Sequence, residues 1–262
     1  MSDRIHTLSG YLHEYQKSVA QPEEFWARIA DSFHWRKQWD QVLKWNFDGP
    51  DVKWFLNGKL NITENIFERY LFTIGDRPAI IWEPNDPNEK GRTITYRELF
   101  HDVCRFANAL KSKGIGKGDK VIIYMPMVPE AAVAMLACAR IGAVHSVVFA
   151  GFSSNALADR VIDCGAKAIL TSDGNFRGSK KIAVKSVVDE ALEKSSVETV
   201  IVYQRTKQEV TMKEGRDFWW HEVVSKETDQ NTAEEMDSED ILFILYTSGS
   251  TGKPKGVVHT TG

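Results

Sequence analysis

The sequence predicts an α/β protein: a parallel-rich sheet flanked by helices, preceded by an aromatic, helical N-terminal extension. Three observations predict it. From about residue 76, short β-rich runs alternate with amphipathic helical patterns, as they do where right-handed crossovers join parallel strands. The runs themselves, such as Val121-Ile122-Ile123, are apolar without alternation, which suits strands covered on both faces. The composition, 42% hydrophobic and 26% charged over 262 residues, is that of a globular chain long enough to bury a substantial core.

The first stretch, residues 1–75, reads as a separate extension, and residues 76–262 as the start of the main domain. Five of the eight tryptophans lie in the extension: Trp26, Trp35, Trp39, Trp45 and Trp54. Without a basic groove around them they read as a packing layer rather than a stacking platform for sugars or bases. Pro22-Glu23-Glu24 suits a helix start, where proline needs no partner for a missing N–H and acids favour the positive end of the dipole. Phe25, Ile29 and Phe33 continue it at a spacing of four.

In the second stretch, Thr95-Tyr96-Arg97-Glu98 is a capping box. Leu99, Val103, Phe106 and Leu110 then form one helical face, which Gly114 closes. Lys120–Tyr124 reads as a strand, Pro129–Ile141 as a nearly all-apolar helix, and Val144–Phe149 as a buried strand. Ser153 can cap a helix running to Cys164 and stopping at Gly165. Strands at Lys167–Thr171 and Val197–Tyr203 flank a helix near Lys185–Lys194. The polar, acidic segment Ser225–Asp240 reads as a surface loop or linker, after which Ile241–Tyr246 and Val257–His259 resume a β pattern.

Charge and motifs narrow the function. Thirty-three Lys and Arg against 36 Asp and Glu, a net of −3, argue against a mainly electrostatic nucleic-acid binder. No apolar run approaches the roughly 18 residues that suggest a membrane span, and the N-terminus lacks the apolar core of a signal peptide. Cys104, Cys138 and Cys164 form no CxxC pair, so reduced thiols in the cytoplasm are expected. Cys138 reads as a core thiol, Cys104 as lying off the main apolar stripe of its helix, and His145 and His259 as structural.

The informative segment is Thr247-Ser248-Gly249-Ser250-Thr251-Gly252-Lys253-Pro254-Lys255-Gly256, hung on a buried strand. Glycines let backbone N–H groups approach an anion, hydroxyls add donors, and lysine adds a mobile charge, so the segment suits a polyphosphate. A plain turn would not need so many hydroxyls and both lysines. It is not a Walker loop, because Thr247 stands where the first glycine belongs and Pro254 follows Lys253.

Tyr246–Gly256 resembles the signature loop of the adenylate-forming superfamily, which includes acyl-CoA synthetases, luciferases and nonribosomal peptide adenylation domains. Phe25-Trp26, Phe33-His34-Trp35 and Trp54–Asn61, together with Gly142–Ser153, resemble the acetyl-CoA synthetases within it. The resemblance runs from about residue 10 to the end. It implies a partial adenylate-forming fold and an ATP-dependent acetate–CoA ligase. Acetate would attack the α-phosphate of ATP, with Mg2+, to give acetyl-adenylate and diphosphate, and coenzyme A would then take the acetyl group and release AMP. Propionate–CoA ligase and a non-catalytic nucleotide- or CoA-binding module are the alternatives.

By that resemblance Thr247, Ser248, Gly249, Ser250, Thr251, Gly252 and Lys253 enclose the ATP phosphates. Phe149, Ala150, Gly151, Arg177, Lys180 and Ile182 fall at the coenzyme A site. Family members usually show Arg-x-Gly-Arg in the second segment; here Arg177-Gly178-Ser179-Lys180 keeps the charge and loses the second planar fork. The bland alternative for Arg177 and Lys180 is a set of surface charges in a basic loop with Lys181 and Lys185. The substrates implied are acetate, ATP and coenzyme A, with neither nucleic acid nor membrane as partner. Family members are well over twice as long, so the resemblance also implies that this chain stops just after the phosphate loop. The carboxylate pocket, the metal-binding segment and the catalytic lysine would lie beyond it, leaving residues 1–262 inactive alone.

Overall fold

The computed structural model describes residues 5–178, 180–247 and 254–262. They divide into two units, one of residues up to Leu60 with Met236–Glu239 and Gly262, the other of Asn61–Glu235 with Asp240–Thr261.

The first unit is less irregular than its sequence suggests. Helix Leu8–Ala20, capped by the Thr7 hydroxyl accepting from Gly10 N–H (3.1 Å), precedes helix Pro22–Ala30, and the Arg28–Glu14 ion pair joins them. An antiparallel hairpin, Gln41–Asn46 with Asp51–Leu56, follows where only aromatic and helical structure was expected. The turn between its strands holds Asp48-Gly49, a pair that favours hairpin reversal. The tryptophans pack on neighbouring rings: Trp35 lies 4.9 Å from Trp39 and 5.3 Å from Phe55, and Trp26 lies 6.1 Å from Trp54.

The second unit is built on a seven-stranded sheet: β1 (Lys120–Ile123), β2 (Val144–Val147), β3 (Ala168–Ser172), β4 (Thr199–Tyr203), β5 (Asp217–Trp219), β6 (Ile241–Thr247) and β7 (Lys255–Thr260). Their order is β5-β4-β3-β1-β2-β6-β7. Every neighbouring pair is parallel except β6 and β7. The helices are α1 (Tyr96–Ser112), α2 (Pro129–Arg140), α3 (Ser154–Cys164), α4 (Val184–Ala191) and α5 (Trp220–Val224).

Side-chain alternation sorts each strand between two cores. Val121, Ile123, Leu170 and Ile201 pack with α1, α2 and α5, while Ile122, Ile169, Val200 and Val202 pack with α3 and α4. This is why the strand runs are apolar throughout. The capping box of α1 is formed: the Thr95 hydroxyl accepts from Glu98 N–H (3.2 Å), and Glu98 accepts from Thr95 N–H (2.8 Å). Ser153 caps α3, and Gly165 ends it at φ 62°, a left-handed conformation that costs glycine little.

Four expectations need correction. Strand β6, expected to be buried, has Ile244 buried but Ile241 and Leu245 exposed. Cys104 is fully buried, because the segment after α5 folds over that side of α1, with Asn108 donating to the carbonyls of Thr228 (3.0 Å) and Gln230 (2.9 Å). That segment is therefore a tethered loop and not a free linker; Asn61 also donates to its Glu234 carbonyl (2.9 Å). Lys185 is no surface charge: only 1% exposed, it pairs with Asp189 (2.6 Å) and Asp217 (2.9 Å), while Arg216 also reaches both acids. Cys138 sits in the core as expected, and burial pushes its thiol up to about 12. Among the described residues, no helix is long and apolar enough to cross a membrane.

Candidate functional site

Because β1 to β6 run parallel, their carboxyl ends share one edge of the sheet. The order reverses there, since β1 lies between β2 and β3, and such a switch point opens a crevice between the loops on either side. The loop after β2 holds Phe149, Ala150 and Gly151. The hairpin 175–182, whose strands are Asn175–Arg177 and Lys180–Ile182, follows β3. The predicted phosphate loop leaves from the end of β6. The topology thus puts the loop after β2, the hairpin after β3 and Thr247, the end of β6, at one edge.

The loop after β2 is held from below and open above. Val148 N–H donates to Ile123 carbonyl (2.9 Å), and the Tyr124 hydroxyl donates to Phe152 carbonyl (2.7 Å). Phe149 projects from this base, 69% exposed, edge-on to Phe152 at 5.8 Å. An exposed ring on an anchored loop suits stacking by a planar ligand.

In the hairpin, Arg177 and Lys180 are direct cross-strand partners and so share one face. Both are exposed, and neither has a carboxylate partner among the described residues. Like charges directly opposite each other are unfavourable in a ribbon unless an anion lies between them. Ile182 is half-buried beyond them. Ser179, in the turn, lies outside the described residues.

The base of the hairpin rests on a residue the sequence reading passed over. Asp173, fully buried at the end of β3, accepts from the N–H groups of Gly174 (2.7 Å), Arg205 (2.7 Å), Thr206 (2.9 Å) and Gln208 (3.2 Å). One carboxylate thereby ties the loop after β3 to the loop after β4. Gly174 is needed beside it: a Cβ there would stand 2.6 Å from Thr206 Oγ1 and 2.8 Å from Ile182 carbonyl. The Asp-Gly pair directly after a buried strand was the available signal. Arg205 completes the support, its guanidinium 4.8 Å from the Phe176 ring and 5.2 Å from Trp82, with a forked pair to Glu89 at 2.8 and 2.7 Å.

At the third loop, Thr247 ends β6 opposite Lys255, and Lys255 is exposed at the start of β7. Ser248, Gly249, Ser250, Thr251, Gly252 and Lys253 lie outside the described residues. Tyr246 donates its hydroxyl to Asp163 Oδ2 (2.7 Å), and burial together with that bond raises its pKa. His145, on β2, has its ring tilted against that of Phe243 at 5.7 Å, and burial holds its imidazole down to about 4. His259 lies across Phe243 at 4.5 Å. Among the described residues, no three His, Cys, Asp or Glu side chains gather as metal ligands.

A parallel sheet with a glycine- and hydroxyl-rich segment at one strand end defines a class, and the comparisons agree with it. The family model described as AMP-binding enzyme matches residues 67–262, and the chain belongs to that family. A second model, acetyl-coenzyme A synthetase N-terminus, matches residues 11–66. The chain is 53% identical over 254 residues to an acetyl-coenzyme A synthetase of Bdellovibrio bacteriovorus, covering 96% of this chain and 39% of that one. It is 53% identical over 261 residues to that of Yersinia pseudotuberculosis, covering 98% and 40%. The chain therefore spans about 40% of the length of these relatives. Its fold is similar to that of acetoacetyl-CoA synthetase from Streptomyces lividans, with a TM-score of 0.85 and 26% identity over 94% of this chain and 38% of that one.

Proposed function

We propose that this chain is the N-terminal part of a cytoplasmic ATP-dependent acetate–CoA ligase, an extension over 1–75 followed by the beginning of the AMP-binding domain over 76–262. The observation that carries the reading is that β2, β3 and β6, the strands followed by three segments of complementary chemistry, end at one edge of one sheet. In sequence, a hydroxyl- and glycine-rich segment with Lys253 follows β6; an exposed aromatic at Phe149 follows β2, and an Arg177–Lys180 face with no carboxylate partner among the described residues follows β3.

The chemistry divides among them. A carboxylate is a poor acyl donor until it is joined to AMP as a mixed anhydride, and negative charge builds on the departing diphosphate as that happens. Residues 247–253 would supply hydroxyls, backbone N–H groups and an ammonium to that charge. Magnesium, when bound, would share that charge. None of the described residues is assigned to it. Phe149 would stack on the adenine of coenzyme A, with Gly151 and Ile182 lining the approach, and Arg177 and Lys180 would hold its 3′-phosphate.

The test uses the full-length protein. Acetate is expected to drive ATP–diphosphate exchange without coenzyme A, and AMP and thioester formation with it. Lys253→Ala should slow exchange on the order of a hundredfold, equivalent to about 3 kcal/mol of lost transition-state stabilisation. Exchange in that variant within a factor of about two of the parent would remove Lys253 from the phosphate site. Faster turnover of propionate than of acetate would reassign the substrate. Calorimetric binding of ATP or coenzyme A with no AMP release would leave a binding module.

A further inference from the structure

Arg160 lies in α3, between the loop after β2 and the end of β6, and the predicted sites leave it without a role. It is 7% exposed. Its Nη1 donates to Ala156 carbonyl one turn back (2.5 Å), and its guanidinium carbon lies 5.0 Å from the centre of the Phe152 ring and 5.3 Å from that of Tyr246. No carboxylate pairs with it among the described residues; the nearby Asp163 accepts from the Tyr246 hydroxyl. A buried cation held by two ring faces is an attractive contact with a defined geometry, because both quadrupoles point their negative faces at it.

The two rings belong to different elements, one to the loop after β2 and the other to strand β6. Phe152 lies in the loop that carries Phe149 and Gly151, just before the Ser153 cap of α3, and its carbonyl is held by Tyr124. Tyr246 is next to Thr247, where the hydroxyl-rich segment begins. We propose that Arg160 is a positioning residue that joins the coenzyme A loop to the end of β6, so that the placement of Phe152 constrains that of Tyr246 and Thr247. This rests on the assignment of those loops under the proposed function. Mechanically, a shift of Phe152 changes the seat of the guanidinium, and the guanidinium in turn bears on Tyr246, whose hydroxyl bond to Asp163 fixes the end of β6.

The experiment compares variants of the full-length protein in two assays: the KM for ATP in acetate-dependent diphosphate exchange, and the KM for coenzyme A in thioester formation from preformed acetyl-adenylate. Arg160→Met keeps the length of the side chain and removes the cation. It is expected to raise both KM values about tenfold, the factor that corresponds to about 1.4 kcal/mol. Arg160→Lys, which keeps a cation between the rings, should recover most of both. Phe152→Leu changes only a residue of the coenzyme A loop, keeps the arginine side chain and removes one of the two rings that seat it; it should therefore raise the KM for ATP as well. An unchanged KM for ATP in Phe152→Leu overturns the joining role. So does a fall in kcat alone in Arg160→Met with both KM values within about twofold of the parent, which is what a smaller folded fraction produces. If the parent shows no acetate-dependent exchange, the functional reading itself fails and this inference falls with it; if the parent is active and only the variants disappoint, the reading stands without the link.

Discussion

At the scale of single residues, the buried charges were the least legible feature of this chain. Lys185 and Asp217 are 32 positions apart, and nothing in the spacing announces that they meet. The structure places the ammonium where water cannot reach it and surrounds it with Asp189, Asp217 and the Thr211 carbonyl. Burial alone would raise the Asp217 pKa, but the hydrogen bonds from Arg216 and Lys185 outweigh it, so the carboxyl titrates below its ordinary value. A group with a depressed folded pKa contributes stability above its unfolded value of about 3.9, and that contribution is lost as the pH falls through the folded one. Asp217→Asn should therefore cost about 3 kcal/mol at neutral pH, because it removes one partner of a buried ion pair. The gap to the parent should close as the pH drops below about 4. Urea unfolding at a series of pH values checks both size and sign, and a gap that stays constant from neutral to acid pH would show that Asp217 contributes by packing alone.

At the scale of elements, α1 shows what local chemistry can settle. The Thr95–Glu98 box was readable as four residues of sequence, and it formed. Thr95→Ala removes the acceptor for the Glu98 N–H and is expected to lower stability by about 1 kcal/mol, read as a shift in the denaturant midpoint at unchanged slope. The same logic made α2, α3 and the long apolar strands legible, because each is bounded by a cap, a proline or a glycine and buries a continuous face. Elements fixed from outside were not legible. Strand β5 is three residues long and exists because β4 offers it an edge. The hairpin 175–182 stands on the Asp173 carboxylate, whose partners lie some 30 residues on in the loop after β4. Helix Leu8–Ala20 has apolar residues at helical spacing, but Leu8, Leu12 and Val19 stay exposed, so burial is not what marks it. The candidate loops were legible as chemistry, from their glycines, hydroxyls and basic residues; their supports were not, because Asp173, Arg205 and Arg160 act through partners distant in sequence.

At the scale of the whole molecule, what matters is that separate loops share one edge while resting on separate strands. The basic hairpin follows β3, the hydroxyl-rich loop follows β6, and β1 and β2 stand between those strands in the sheet. A change confined to the exposed face of the hairpin leaves the β6 end and its Tyr246–Asp163 bond untouched. The two steps of the proposed reaction should therefore be separable by substitution. In the full-length protein, replacing both Arg177 and Lys180 by alanine removes the two cations proposed for the 3′-phosphate of coenzyme A. Neither side chain is buried and neither has a carboxylate partner among the described residues, so folding should be little affected. Hydrogen bonds to charged groups are worth about 1.5 to 3 kcal/mol each, but both side chains are exposed and screened, so the expected rise in the KM for coenzyme A is about tenfold to a hundredfold. Acetate-dependent ATP–diphosphate exchange, which needs no thiol, should stay within about twofold of the parent. Raising the salt concentration should weaken coenzyme A binding in the parent more than in the variant, because exposed charge pairs are screened over a Debye length of about 10 Å at 0.1 M. The decisive comparison is the ratio of the two half-reactions. If exchange falls as far as thioester formation, the hairpin supports the fold and the basic pair does not mark the coenzyme A site.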